Sequence, residues 1–277
     1  MDTDVSDRLC IICGGRAFRH WDTRKGIDVV ICTQCGHGRA EVPQTYAADA
    51  EEQYTEEYFR SMWYDRKWRF RVGRAKRWLR YNGEMRRPPG NLLDIGCAMG
   101  YYLAAARDLG WTPYGTDISR HALKVSQDGG FEVFWSTHPA DFPDWLPPLD
   151  VVTAAQVVEH FYDPVDYLRA LLSRMAPGGI TYLQLPNFQK ILNRGPRRGY
   201  MGPPEHAQFF TLGTARRALV KAGWRLVDYP KTRPGYIANR PWLWIPELLY
   251  QMPRELIRER NTANGRLTNM HLFAQAS

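Results

Sequence analysis

Two cysteine pairs, Cys10 and Cys13 in CIICGG and Cys32 and Cys35 in CTQCGHG, have the residue type and spacing of a metal site. Two intervening residues let both thiolates of a pair reach one ion, and the glycine after each pair allows a tight turn that aims N–H groups at sulfur. Four thiolates around Zn2+ make a closed, structural centre. Further along, NLLDIGCAMGYYL places Asp94 ahead of Gly96 and Gly100 where an apolar run turns helical. Glycines at such a junction let a ligand lie against the backbone, and the next helix offers its first amides. Asp117 closes the following apolar segment and can take both hydroxyls of a ribose. His160 and His206 each follow a later apolar segment, and imidazole is the side chain best suited to accept a proton near neutrality. His20 and His37 read as surface histidines, because four thiolates already fill a zinc shell. Cys97 reads as a small buried filler of the glycine turn.

These residues need elements to hold them. AFRHW and IDVVIC around Lys25-Gly26 read as a hairpin between the cysteine pairs, a small zinc ribbon. Residues 47 to 81 carry helical spacing, with Tyr54, Tyr58 and Met62 on one stripe and Trp68, Val72, Ala75 and Leu79 continuing it. Asn82-Gly83 stops the helix, and RRPPGN is a linker. Arginines and lysines occupy its other faces. Such a helix serves as a nucleic-acid surface or as snorkelling side chains over a core stripe, and the core period of the aromatics favours the second. From residue 91 apolar strands alternate with helices: NLLDIG, TPYGTDIS, FEVFW, LDVVTAA, ITYLQLPN and RLVDYP are the strands. The helices between them begin with 100 to 109. The one from Asp163 has an Asp cap, Pro164 in its first turn and a glycine exit. Repeated β–α units predict a parallel sheet covered on both faces, with ligands at the carboxyl ends of its strands.

The motifs, in this order, resemble those of class I S-adenosylmethionine (SAM)-dependent methyltransferases of the small-molecule branch. LLDIGCAMG is similar to the first motif, and YGTDIS to the second. LDVVTAAQVVEHFYDP, MAPGGITYLQLPN and EHAQFFTLGTARRALVKAGWRL are similar to later segments of the family, and NMHLFAQA to its antiparallel seventh strand. The resemblance covers residues 89 to 277. It implies a Rossmann-like α/β sheet of seven strands and an enzyme that uses SAM. It further implies that Asp94, Gly96, Ala98 and Gly100 shape the SAM pocket, that Asp117 holds the ribose and that Ile118 packs on adenine. Ala155, Gln156 and His160 would line the methionine end and the mouth of the acceptor site. Ala98 stands where the family has a glycine, which requires a negative φ. The segment STHPADFPDW lacks the family's usual Gly-Asp.

Methyl transfer from a sulfonium needs alignment and dryness, plus a base only if the acceptor carries a proton of high pKa. His160 and His206 are the candidates, each with a capping or core role as the bland alternative. Tyr54 and Tyr58 either close over the site or belong to the core stripe. The expected organisation is a zinc ribbon over 1–45, a helical connector or lid over 46–88 and the methyltransferase domain over 89–277. The expected acceptor is a small molecule methylated at oxygen or carbon, such as a sugar or secondary-metabolite intermediate. A zinc knot on such a domain also resembles sugar C-methyltransferases, although those have a longer carboxyl-terminal region. The net charge of +8 suits an acceptor bearing phosphate or a nucleotide, or else a solvated arginine-rich surface. An RNA methyltransferase and a non-catalytic SAM-binding module are the competing readings. The segment 241–258 reads as a lid, a dimer contact or a shallow membrane contact. No signal peptide or transmembrane segment is visible, so a cytoplasmic location is expected.

Overall fold

The computed structural model describes residues 9–42, 54–61, 68–82, 90–195, 202–203, 205–227 and 269–276. The segment 241–258 lies outside them. Near the amino terminus β1 (Phe18–Arg24) and β2 (Ile27–Cys32) form the expected antiparallel hairpin. Lys25 and Gly26 have φ of 49° and 76°, the two positive values a two-residue turn needs to match strand twist. Two further strands were not foreseen. β3 (Gly38–Ala40) pairs with β2, and β9 (Gln208–Phe209), from the far half of the chain, pairs with β3. The ribbon sheet therefore takes its last strand from a segment about 170 residues further along the chain.

Within the stretch expected to be helical, the described residues form α1 (Glu56–Ser61) and α2 (Trp68–Asn82). On α2 the stripe Val72, Ala75 and Leu79 packs on Leu92, Ala105 and Trp111, while Arg74 and Arg77 are exposed. Trp78 lies 4.0 Å from the Tyr182 ring and stacks on Phe273 at 6.2 Å. The aromatic stripe is thus spent in the core, as the period suggested.

The main sheet has the order β10–β11–β8–β7–β4–β5–β6 among the described residues. Its strands are β4 (Asn91–Ile95), β5 (Thr112–Asp117), β6 (Glu132–Trp135), β7 (Leu149–Ala155), β8 (Met175–Pro186), β10 (Arg225–Val227) and β11 (Asn269–Gln275). β4 to β8 are parallel, and β11 runs antiparallel between β8 and β10. Leu92, Leu93, Val152, Leu183 and Leu185 are buried at its centre, as a sheet covered on both faces demands. The chain passes from β4 outward through β5 and β6, then returns to the other side of β4 with β7 and β8. That reversal opens a crevice at the carboxyl end of β4.

The covering helices are α3 (Tyr101–Arg107), α4 (Arg120–Asp128), α5 (Pro164–Leu172), α6 (Phe188–Arg194) and α7 (Leu212–Lys221). Asp163 caps α5 by accepting from the Asp166 amide, with Pro164 in the first turn, as the sequence predicts. α5 ends earlier than expected, and Pro177-Gly178-Gly179 lies inside β8 instead of forming a separate turn. No helix among the described residues is long and apolar enough to cross a membrane.

Candidate functional site

The turn after β4 is fastened to the end of β5. The amides of Gly96 and Cys97 donate to the Thr116 carbonyl at 2.8 and 3.1 Å. Asp117 accepts from the Ala98 amide and the Ser119 amide, one on each oxygen, both at 2.8 Å. A carboxylate has about four acceptor sites, so Asp117 keeps capacity for a ligand hydroxyl beside its amide donors. Burial pushes the Asp117 carboxyl upward while these amides oppose it. Asp94 is buried and accepts from Thr153 Oγ1 at 2.5 Å, and burial lifts its carboxyl to about 7. Asp94 thus ties β4 to β7, and Asp117 is the acid of the pair with backbone donors arranged about it.

The expected negative φ at Ala98 is wrong. Ala98 has φ of 48°, beside Gly96 at 70° and Gly100 at 83°. A left-handed alanine costs about 1 kcal/mol, and its amide bond to Asp117 offsets that cost. Cys97 is buried filler as expected, its sulfur against Gly115. Over the turn sits α1: Ala98 and Ala122 pack with Phe59, Tyr54 and Tyr58. The Tyr54 carbonyl accepts from Ser119 Oγ at 2.6 Å. The Tyr58 phenol is pushed up by burial and then by the charge of Asp117. Ile118 is half-buried, and its carbonyl accepts from the exposed Trp135 indole.

The far wall begins where β7 ends. Ala155 is half-buried, and Gln156 has φ of 60°, its amide donating to the Gln184 carbonyl at 2.9 Å. A Cβ on Gly96 would meet Val157 Cγ2 at 2.8 Å, so this wall abuts the glycine turn. A 3-10 turn, Val158–His160, then carries Glu159 and His160. His160 Nδ1 donates to the Glu205 carbonyl at 2.5 Å, which leaves Nε2 as its lone-pair nitrogen. Its ring stands edge-on to that of His206, centroids 4.8 Å apart. Both candidate histidines are therefore brought together, held by the Ala207 amide donating to the Glu159 carbonyl at 3.1 Å. Burial pushes both imidazoles down, His206 to about 3, away from the free value expected of an exposed base.

Glu159 is the residue sequence reasoning missed. It is 0% exposed, meets no side-chain partner among the described residues, has only the amides of Glu159 and Val157 beside it, and burial lifts its carboxyl to about 8. The signal was a lone acid inside VVEHF, next to a singled-out histidine. A second correction concerns His37. It is 1% exposed, with Nε2 2.9 Å from Gln208 Oε1, and burial pushes it to about 4. His37 joins the ribbon to β9, and Gln208 in turn donates to the Tyr162 carbonyl at 2.9 Å.

The four cysteines converge. Cys10 and Cys35 sulfurs lie 3.6 Å apart, as do those of Cys13 and Cys32, and all four lie within 4.8 Å of one another. Sulfurs at about 2.3 Å from a tetrahedral zinc are about 3.8 Å apart, so the donor set fits that ion. Amides of Ile12 and Cys13 donate to Cys10 sulfur, that of Gly15 to Cys13 and that of His37 to Cys35, the outer contacts that favour thiolate.

A sequence profile described as a methyltransferase domain matches residues 64–229. Among curated proteins, the ubiquinone biosynthesis O-methyltransferase of Caulobacter sp. (strain K31) is 34% identical over 32% of this chain and 38% of its own length. That of Ruegeria pomeroyi is 28% identical over 55% of this chain and 66% of its own. The chain thus spans between 38% and 66% of these two relatives. Among solved structures, the plantazolicin methyltransferase in complex with SAH matches 84% of this chain and 95% of its own, at 16% identity and a TM-score of 0.53. A SAM-dependent methyltransferase from Archaeoglobus fulgidus matches 78% and 99% at 18% identity and 0.52. At these identities the structures speak for the fold, and it is the profile match over more than half the chain that shows descent. The chain belongs to the methyltransferase-domain family, with the class I sheet of SAM-dependent methyltransferases.

Proposed function

We propose that the chain is a SAM-dependent methyltransferase acting at an oxygen or carbon of a small-molecule acceptor, with a structural zinc held by Cys10, Cys13, Cys32 and Cys35. The observation that carries this reading is the junction of the two walls. Gly96 abuts Val157, so a ligand fastened at Asp117 and running along the turn ends beside the histidine pair. Family membership supports the activity, and the relatives' printed name supports oxygen as the acceptor atom.

SAM supplies a methyl already activated on a sulfonium, so the protein's part is alignment and exclusion of water. Asp117 takes the ribose hydroxyls, and Ile118 packs on adenine. Asp94, Gly96, Ala98 and Gly100 shape the floor, and Ala155 and Gln156 line the methionine end. Tyr54, Tyr58 and Phe59 of α1 and its approach cover the turn. His160 and His206 stand at the acceptor end, where they orient the acceptor or take its proton. The basic excess suits an acidic acceptor such as one bearing phosphate. The packing of half-buried Trp78 against Tyr182 and Phe273 favours a small molecule over RNA.

Calorimetry with SAH and a mass-spectrometric search for a methylated product test this reading. Binding near one site per chain and a product gaining one methyl are expected; no SAH binding at all overturns it.

A further inference from the structure

Glu159, His160 and His206 come from two chain segments, and their ligand atoms lie within 4.8 Å of one another. Three features of this cluster are unusual for a polar core. Buried polar atoms ordinarily find partners, yet among the described residues no side chain bonds either Glu159 oxygen or His206 Nε2. A carboxylate beside two imidazoles ordinarily accepts from one of them; here they face one another without bonding. His160 instead gives its Nδ1–H to the Glu205 carbonyl, the outer contact that fixes a metal-binding imidazole and aims Nε2. A buried carboxylate that keeps its charge must be paired or coordinate a metal.

We infer that Glu159, His160 and His206 form a second metal site, distinct from the four cysteines, for a divalent first-row transition-metal ion such as zinc. Two imidazoles and a carboxylate suit that class, whereas four thiolates select for zinc in a closed shell. Three protein ligands leave at least one position open. Bonds of about 2.0–2.2 Å to one ion require the donors to close inward from their present spacing of up to 4.8 Å. The site's role, unlike its existence, rests on the proposed methyl transfer. An acceptor hydroxyl entering the open position would shed its proton to solvent, the two histidines then orienting it through the ion and not taking the proton themselves. Its oxygen would then form the new bond to carbon, while the S–CH3 bond breaks with its electron pair left on sulfur.

The test uses the full chain, stripped with a chelator under reducing conditions and titrated with zinc alone against a chromophoric competitor, with neither SAM nor acceptor present. Wild type should take about two tight equivalents, and Glu159→Gln or His206→Gln about one. Cobalt on the wild-type protein gives a variant-free readout: one ion with thiolate charge-transfer bands and one with nitrogen–oxygen bands only. A wild-type chain that takes only the thiolate-bound ion, or a folded Glu159→Gln that keeps two, overturns the site. Because no methyl transfer is measured, failure here is separable from failure of the proposed function, which SAH binding and product formation read.

Discussion

Among the described residues, side chains of metal-ligating type gather in two places, built in opposite ways. The cysteine centre is made by short range order: each pair sits on its own turn, and one hairpin joins the turns. The Glu159–His160–His206 cluster is made by long range order, from the end of β7 and from a segment just ahead of β9. The first is legible in spacing; the second exists only once the sheet has formed. Yet the two are mechanically joined. β3 leaves the ribbon and pairs with β9, Ala40 donates to the Ala207 carbonyl at 2.8 Å, and His37 bonds Gln208. The cysteine-bearing ribbon thus holds one edge of a cluster assembled from distant residues.

The sharpest way to break this comparison is to remove the knot. Structural zinc in small ribbons contributes on the order of 10 kcal/mol to local folding. Cys32→Ser should lose the cysteine-bound zinc by elemental analysis and release β3 and β9. Turnover should fall at least tenfold while SAH affinity, read by calorimetry, changes far less. Equal losses in both would mean that the ribbon supports the whole domain and has no special hold on His206.

Next in size are the histidines. His206→Ala and His160→Ala should each lower turnover by roughly 100- to 10,000-fold, with SAH binding intact. Should both keep near-wild-type rates once an acceptor is in hand, the pair has no part in the chemistry, and Tyr58 becomes the better candidate.

The cofactor wall should respond in binding. Asp117→Ala removes an acceptor of two hydroxyls and should weaken SAH by about 1.5–3 kcal/mol, tenfold or more. Unchanged affinity by calorimetry would sink the ribose assignment. The smallest effect is expected at Ala98. Replacing it with glycine relieves about 1 kcal/mol of left-handed strain but loosens the unfolded chain by about 0.4–1 kcal/mol, a net gain of about 0–0.6 kcal/mol. That should raise Tm by about 2 °C at most in thermal denaturation. A fall in Tm would show that the alanine methyl, packed under Phe59, matters more than its φ.

Much of this molecule is decided locally and so can be read in order along the chain. Lys25-Gly26 specifies a hairpin turn because a two-residue loop needs two positive φ values. Asp163-Pro164 starts α5 because the cap and the first-turn proline act within a few residues. The cysteine spacing and the Gly96–Gly100 turn are likewise local, and the order of strands follows from short apolar runs alternating with helices. What depends on neighbours brought from far away escapes such a reading. Nothing near Ala98 in sequence says that its amide will be held by Asp117, so its positive φ was not foreseen. Nothing near His37 says that Gln208 will bury it. Glu159 looks like an ordinary acid until β7 carries it inside and His206 arrives from the far side of β8. Hydrophobic periodicity reports which face of an element is covered, but not what covers it. Burial of a charge and the meeting of side chains from separate segments are properties of the packed sheet, and only the tertiary structure decided them.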